Sequence, residues 1–273
     1  MCDCSISALF EPSVGRIAVE PNRDDRVWAA NVSGVGVGSI ENNVEIPRAN
    51  FTVGDGFGAV LDLDVDETWL YVSTGSALWR IPKEGDYEEF PQGAPEIIRS
   101  ESELIERLWL HNDVIYWMHQ PFNGPFSLVS FDLGTLVETV LATDIVASDE
   151  FPDLTVGPDD LVWVSSGDFT VMTIQRFTLD GTPVDTFTVD HTSEFEVVLD
   201  LVPFAGSVYM LTSQLDVIRV ETDLQQCIVD FPTWTSYSGV VTTAPPEWST
   251  SESSARGLGT NGLVLAASTG SDT

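Results

Sequence analysis

Basic residues are scarce in this sequence. There are 11, of which Lys83 is the only lysine, against 43 acidic residues and a formal charge of −32. No basic stripe is available to neutralise a phosphate backbone, so nucleic acid is not an expected partner. Cysteine is nearly absent as well. Cys2, Cys4 and Cys227 are too few and odd in number for a disulfide framework, although a link from Cys2 or Cys4 to Cys227 stays open. No apolar run approaches the roughly 20 residues that cross a bilayer, so membrane insertion is not expected. The start, MCDCSISALF, lacks a positive segment and a long apolar core, so a conventional secretory leader is not expected either. The three histidines, His111, His119 and His191, do not have the HExxH spacing of a zinc enzyme, and no GxSxG elbow occurs. Helical periodicity is confined to SESELIERL, from Ser100, which reads as a loop or a single helical turn.

What the sequence does have is acid, distributed over turns and strand faces rather than in one block. So many carboxylates repel one another in dilute buffer. In molar salt the Debye length falls to about 3 Å, and the repulsion fades while hydrated carboxylates keep the protein soluble. The composition points to a halophile or a haloarchaeal virus, with an acidic secreted bacterial protein or a cation-buffering surface as alternatives. The densest acidic segment is LDLDVDE, from Leu61. It lacks the Asp-x-Asp-x-Asp-Gly form of a calcium loop, and strand alternation puts Asp62, Asp64 and Asp66 on one face. That face is read as solvated, and no metal site is expected.

Short apolar-aromatic triplets recur: VWA at Val27, LYV at Leu70, IYW at Ile115, VWV at Val162, VYM at Val208, and a weaker LVL at Leu263. Their centres are 43, 45, 47, 46 and 55 residues apart, which marks a propeller or another repeat array. A short alternating strand precedes each clear triplet (IAV, LDLDV, LWL, LTV, LDLV), with turn formers between. A third strand follows, carrying Arg80, Arg176 or Arg219 in three copies, and then a turn such as KEG, DLGT or LDGT. TFTV, from Thr186, suits a fourth strand. The expected fold is all-β: one domain over residues 1–273, a six-bladed β-propeller of four-stranded antiparallel blades. The blades are expected near 12–55, 56–100, 101–148, 149–195, 196–240 and 241–273. SISALF, within residues 1–11, would complete the last blade and close the ring, so that no sheet edge is left open.

The segments DDLVWVSSGDFTVMTIQRFTLDGT and NDVIYWMHQPFNGPFSLVSFDLGT resemble blades of the TolB-like six-bladed propellers, of the YWTD and NHL repeat type. The resemblance covers five units and implies a fold. It says little about function, because propellers host binding modules, scaffolds and several enzymes. Propellers of the gluconolactonase kind hold a divalent cation in the central channel, and Glu20, Asp200 and Asn261 are conceivable occupants here. Their spacing does not reproduce that family's pattern.

With no catalytic constellation, the chain is expected to be a non-enzymatic interaction module without a cofactor. Its most specific form is a virion structural protein, such as a turret, spike or tail component, on a virion surface or otherwise extracellular. Expected partners are neighbouring structural subunits, a homo-oligomer among them, and a host-surface glycan or glycoprotein. Aromatic rings framed by small polar residues suit such contacts. The candidates are Phe122 and Phe126 in PFNGPF, and Trp234, Tyr237 and Trp248 in the Ser/Thr-rich tract from Thr233. Alternatives are a metal-dependent lactonase-like hydrolase and a secreted surface-binding protein of a halophilic cell.

Overall fold

A computed structural model describes residues 16–19, 26–31, 34–39, 60–74, 77–83, 96–100, 104–121, 124–147, 152–167, 171–189, 198–204, 206–212, 217–223 and 226–228, and four two-residue strands between 253 and 268. These residues are built from strands, with no helix among them. They belong to two compact units, one of residues 1–100 with 231–273 and one of residues 101–230.

In the first unit, β1 (Arg16–Val19), β2 (Arg26–Asn31) and β3 (Gly34–Ser39) form a three-stranded antiparallel sheet. β4 (Val60–Val65), β5 (Trp69–Thr74), β6 (Ala77–Pro82) and β7 (Glu96–Ser100) form a four-stranded meander. The second unit holds three more meanders. The first is β8 (Leu104–His111), β9 (Val114–Gln120), β10 (Phe126–Asp132) and β11 (Val137–Val146). Next come β12 (Asp153–Val156), β13 (Leu161–Gly167), β14 (Met172–Thr178) and β15 (Pro183–Val189). Last are β16 (Val198–Phe204), β17 (Ser207–Thr212), β18 (Val217–Glu221) and β19 (Gln226–Ile228). Back in the first unit, β20 (Ser253–Ser254) pairs with β23 (Ala267–Ser268), and β21 (Leu258–Gly259) with β22 (Gly262–Leu263).

Within the second unit the sheets stack face to face, with β8 against β12 and β12 against β16, as successive propeller blades do. One apolar layer joins the first two blades through Tyr116, Met118, Leu128, Leu154, Val164 and Phe177. Another joins the second and third through Trp163, Ile174, Leu201, Val208 and Ile218. The five clear triplets all lie on second strands, and Trp28, Trp117 and Trp163 are fully buried. Burial of rings this size is a main driving term for each interface.

Three expectations need correction. Four complete four-stranded blades are seen among the described residues, not six; β1–β3 has three strands, and the stretch after residue 231 supplies only two-residue pairs. The SISALF closure lies outside the described residues. The LIERL segment is strand β8, not a loop or helical turn. Arg107 is an extra residue between Glu106, opposite Met118, and Leu108, opposite Trp117. This bulge returns Ile105 and Leu108 to the same buried face, although they are three residues apart. A bulged strand thereby imitates the apolar spacing of a helix. Finally, Asp62 is completely buried and Asp64 and Asp66 are partly buried, so LDLDVDE is not a solvated face.

Candidate functional site

Strand pairing reveals a position that the triplets alone do not. On the first strand of each four-stranded blade, the residue opposite the second position after the central aromatic is acidic. Asp62 faces Ser73, Glu106 faces Met118, Asp153 faces Ser165 and Asp200 faces Leu211. Asp62, Asp153 and Asp200 have no exposed surface. A buried carboxylate is tolerated only with strong hydrogen bonds or a counter-charge.

Each has them. Asp62 accepts the Leu63 N–H at 2.9 Å, and Ser73 Oγ donates to the Asp62 carbonyl at 3.3 Å. Asp153 reaches across to the next blade, where its Oδ2 accepts the Leu201 N–H at 2.7 Å. Asp200 Oδ1 accepts the same N–H at 3.1 Å. The Asp153 backbone is held by Ser165, whose Oγ accepts its N–H at 3.1 Å and donates to its carbonyl at 3.3 Å. Two carboxylates from adjacent blades thus converge on one amide of β16.

The counter-charge is Arg107. Its Nε donates to the Pro152 carbonyl at 3.2 Å and lies 3.8 Å from Asp153 Oδ1. The bulge puts Arg107 at φ 47°, in the left-handed region that residues with a Cβ avoid. Its side chain is 17% exposed, yet Nη1 is buried and has no hydrogen-bond partner. A buried donor left in this state costs about 1–3 kcal/mol. The seam formed by Arg107, Asp153 and Asp200 therefore combines an unusual backbone with an unused donor.

The stretch DDLVWVSSGD builds a different cluster. Asp159 Oδ1 accepts the Trp163 Nε1–H at 2.9 Å, and Asp159 Oδ2 accepts Arg176 Nη1 at 3.1 Å. Arg176 is bidentate to Asp185 at 2.8 and 2.5 Å and donates to the Thr222 carbonyl in the next blade at 2.9 Å. Its guanidinium lies 5.0 Å from the Trp163 ring centroid. These contacts raise the Arg176 pKa, mainly through the hydrogen bond to Asp185, and the same bond lowers that of Asp185. Arg80 has a similar setting, 4.6 Å from the Trp69 ring and bonded to Glu96 at 2.8 Å. Arg176 is thus a blade-packing residue that reaches the next blade, whereas the printed partners of Arg80 and Arg219, Glu96 and Glu221, lie within their own blades.

Of the aromatic candidates, Phe122, Trp234, Tyr237 and Trp248 lie outside the described residues. Phe126 begins β10 and is buried in the apolar layer, so it is not an exposed ring. Glu20 and Asn261 also lie outside the described residues, while Asp200 is in the seam. No three His, Cys, Asp or Glu side chains come together as a metal site among the described residues. Arg107, Asp153 and Glu106 were not singled out from sequence. A signal existed: the acid lies 9 or 10 residues before the central aromatic in each four-stranded blade.

No protein-family model matches the chain, and no curated protein matches it. Solved structures do. A protein described as TolB from Agrobacterium tumefaciens aligns with a TM-score of 0.58 at 14% identity, over 79% of each chain. An auxiliary nutrient binding protein from Bacteroides thetaiotaomicron aligns with a TM-score of 0.58 at 7% identity, over 80% of this chain and 57% of that one. The extracellular domain of a one component system from B. thetaiotaomicron aligns with a TM-score of 0.50 at 13% identity, over 79% of this chain. The alignment spans only 28% of that longer chain. At these identities the likeness is one of fold.

Proposed function

We propose that this chain is a non-enzymatic β-propeller binding module that acts outside the cell in concentrated salt. The observation that carries the reading is the use made of buried charge in the second unit. Asp153 and Arg176 are bound to backbone groups of the next blade, and Asp200 and Asp159 to groups within their own, instead of forming a nucleophile–base pair. The similar structures include an extracellular domain and a nutrient binding protein, which supports the extracellular part by analogy of fold. The excess of 43 acidic over 11 basic residues supports the high-salt part.

In this reading the partners are neighbouring copies or structural subunits and a surface glycan or glycoprotein, with Phe122, Trp234, Tyr237 and Trp248 as the contact rings. A place on the virion of a haloarchaeal virus is its most specific version, supported by composition alone. The test is a glycan array in molar KCl alongside a lactone-hydrolysis assay with and without added calcium. Glycan binding that is weakened in Trp234→Ala and Trp248→Ala, without lactone turnover, is expected. Calcium-dependent lactone hydrolysis would replace the proposal with the lactonase-like one.

A further inference from the structure

We infer that the outer edge of β11, from Leu136 to Val140, is a docking edge for an extended basic segment of a partner protein, which would pair with it as an added outer strand. Large apolar side chains stand exposed singly elsewhere among the described residues, as at Ile97, Val171 and Val184. Here they gather: Leu136, Val137 and Val140 are 52%, 56% and 53% exposed. Leu136 also has φ 57°, in the left-handed region that a bulky side chain avoids. The matching hairpin of the next blade fills that region with Gly181, at φ 87°. A strained, exposed leucine adds little to packing or solubility, and outliers of this kind collect where a partner covers them.

β11 is the last strand of its sheet and pairs only with β10 among the described residues. The other outer strands are guarded against added pairing. Pro183 opens β15, Glu96 and Arg99 charge β7, and β19 has only 3 residues. β11 runs for 10 residues with no proline and no basic side chain. Beyond the bulge at Leu141 it turns to the next blade, where the Ile145 carbonyl accepts Gln175 Nε2 at 2.7 Å. The free part is therefore Leu136–Val140. Val140 lies opposite Val129 and Val137 opposite Asp132, which places the two valines on opposite faces of the sheet. Exposed valines flanking an edge on both faces suit a paired strand better than a flat surface pressed on one.

Charge selects the occupant. Glu138 and Asp144 are the charged residues of β11, and no lysine or arginine occurs between Arg107 and Arg176. A second copy pairing β11 with β11 would set acid near acid. A strand with lysine or arginine beside its apolar positions complements the edge instead. This edge is separate from the aromatic rings proposed for glycan contact, so either surface can fail alone.

The probe is a short peptide that alternates valine with lysine, titrated calorimetrically into the full chain at one fixed KCl concentration that keeps it folded. It is expected to bind, and the same peptide with glutamate for lysine to bind at least about tenfold more weakly. A lysine peptide with alternate backbone amides methylated cannot complete the strand ladder and is expected not to bind. Val137→Ser combined with Val140→Ser leaves the charge unchanged and is expected to weaken the lysine peptide by at least about tenfold. Should that variant fail to fold, hydrogen exchange of the native chain gives the same answer, with the Val137–Val140 amides gaining protection when the peptide is added. No binding of the lysine peptide, equal binding of the glutamate or methylated peptide, unchanged binding in the folded variant, or no gain in protection would each overturn the inference. Self-association of the native chain that the variant abolishes, without peptide binding, would overturn it too and assign the edge to a second copy.

Discussion

Trp163 is surrounded by groups that fix its ring from three sides. Asp159 takes its N–H, Arg176 covers its face, and Gly157 leaves room for its edge. A Cβ on Gly157 would lie 2.3 Å from Trp163 Nε1 and 2.6 Å from Asp159 Oδ1, so Gly157→Ala must displace one of them. The expected loss is about 1–3 kcal/mol in urea unfolding, and an unchanged midpoint would contradict this packing. Asp185 adds a dependence on pH. Its bond with Arg176 lowers its folded pKa below the ordinary value, so the stabilisation is complete above the unfolded value of about 3.9. It is lost as pH falls through the lowered folded value. Asp185→Asn should therefore unfold at lower urea than the native chain at neutral pH and match it in strong acid. A deficit that persists unchanged into acid would mean that the ion pair is not its source.

At the scale of the strand, alternation and turn chemistry made much of the fold readable. The triplets marked second strands because each needs a large ring at the centre of a buried strand. Arg80, Arg176 and Arg219 marked third strands because they sit opposite Tyr71, Trp163 and Tyr209. The bulges were not readable. At Arg107 the bulge gave β8 a helical spacing, and at Leu61 another interrupts the strand around Asp62, whose burial depends on blade packing. Local pattern cannot report such burial, since it depends on contacts far along the chain, as between Asp153 and Leu201. The candidate site stayed hidden for the same reason. The β8–β9 turn offers a test at this scale. Asn112 and Asp113 have φ of 49° and 60°, the mirror-image turn that favours Asn-Gly. Asp113→Gly is expected to stabilise the protein by up to about 1 kcal/mol; a lower melting temperature would show that the Asp113 side chain contributes more than the turn strain removes.

At the scale of the whole molecule, the net charge and the blade contacts of the second unit each carry a prediction. A formal charge of −32 over 273 residues should oppose compaction in dilute buffer. The thermal midpoint is expected to rise steadily with KCl into the molar range, and a midpoint insensitive to salt would remove the argument for a high-salt setting. Cohesion between the blades of the second unit rests on the apolar layers and on Asp153, which reaches the next blade. The most direct test of that claim is hydrogen exchange of the Leu201 amide in the native chain and in Asp153→Ala. Strong protection in the native chain, falling by at least about tenfold in the variant while β17 and β18 stay protected, is the expected result. A Leu201 amide that exchanges freely in the native chain, or keeps its full protection without Asp153, would contradict it.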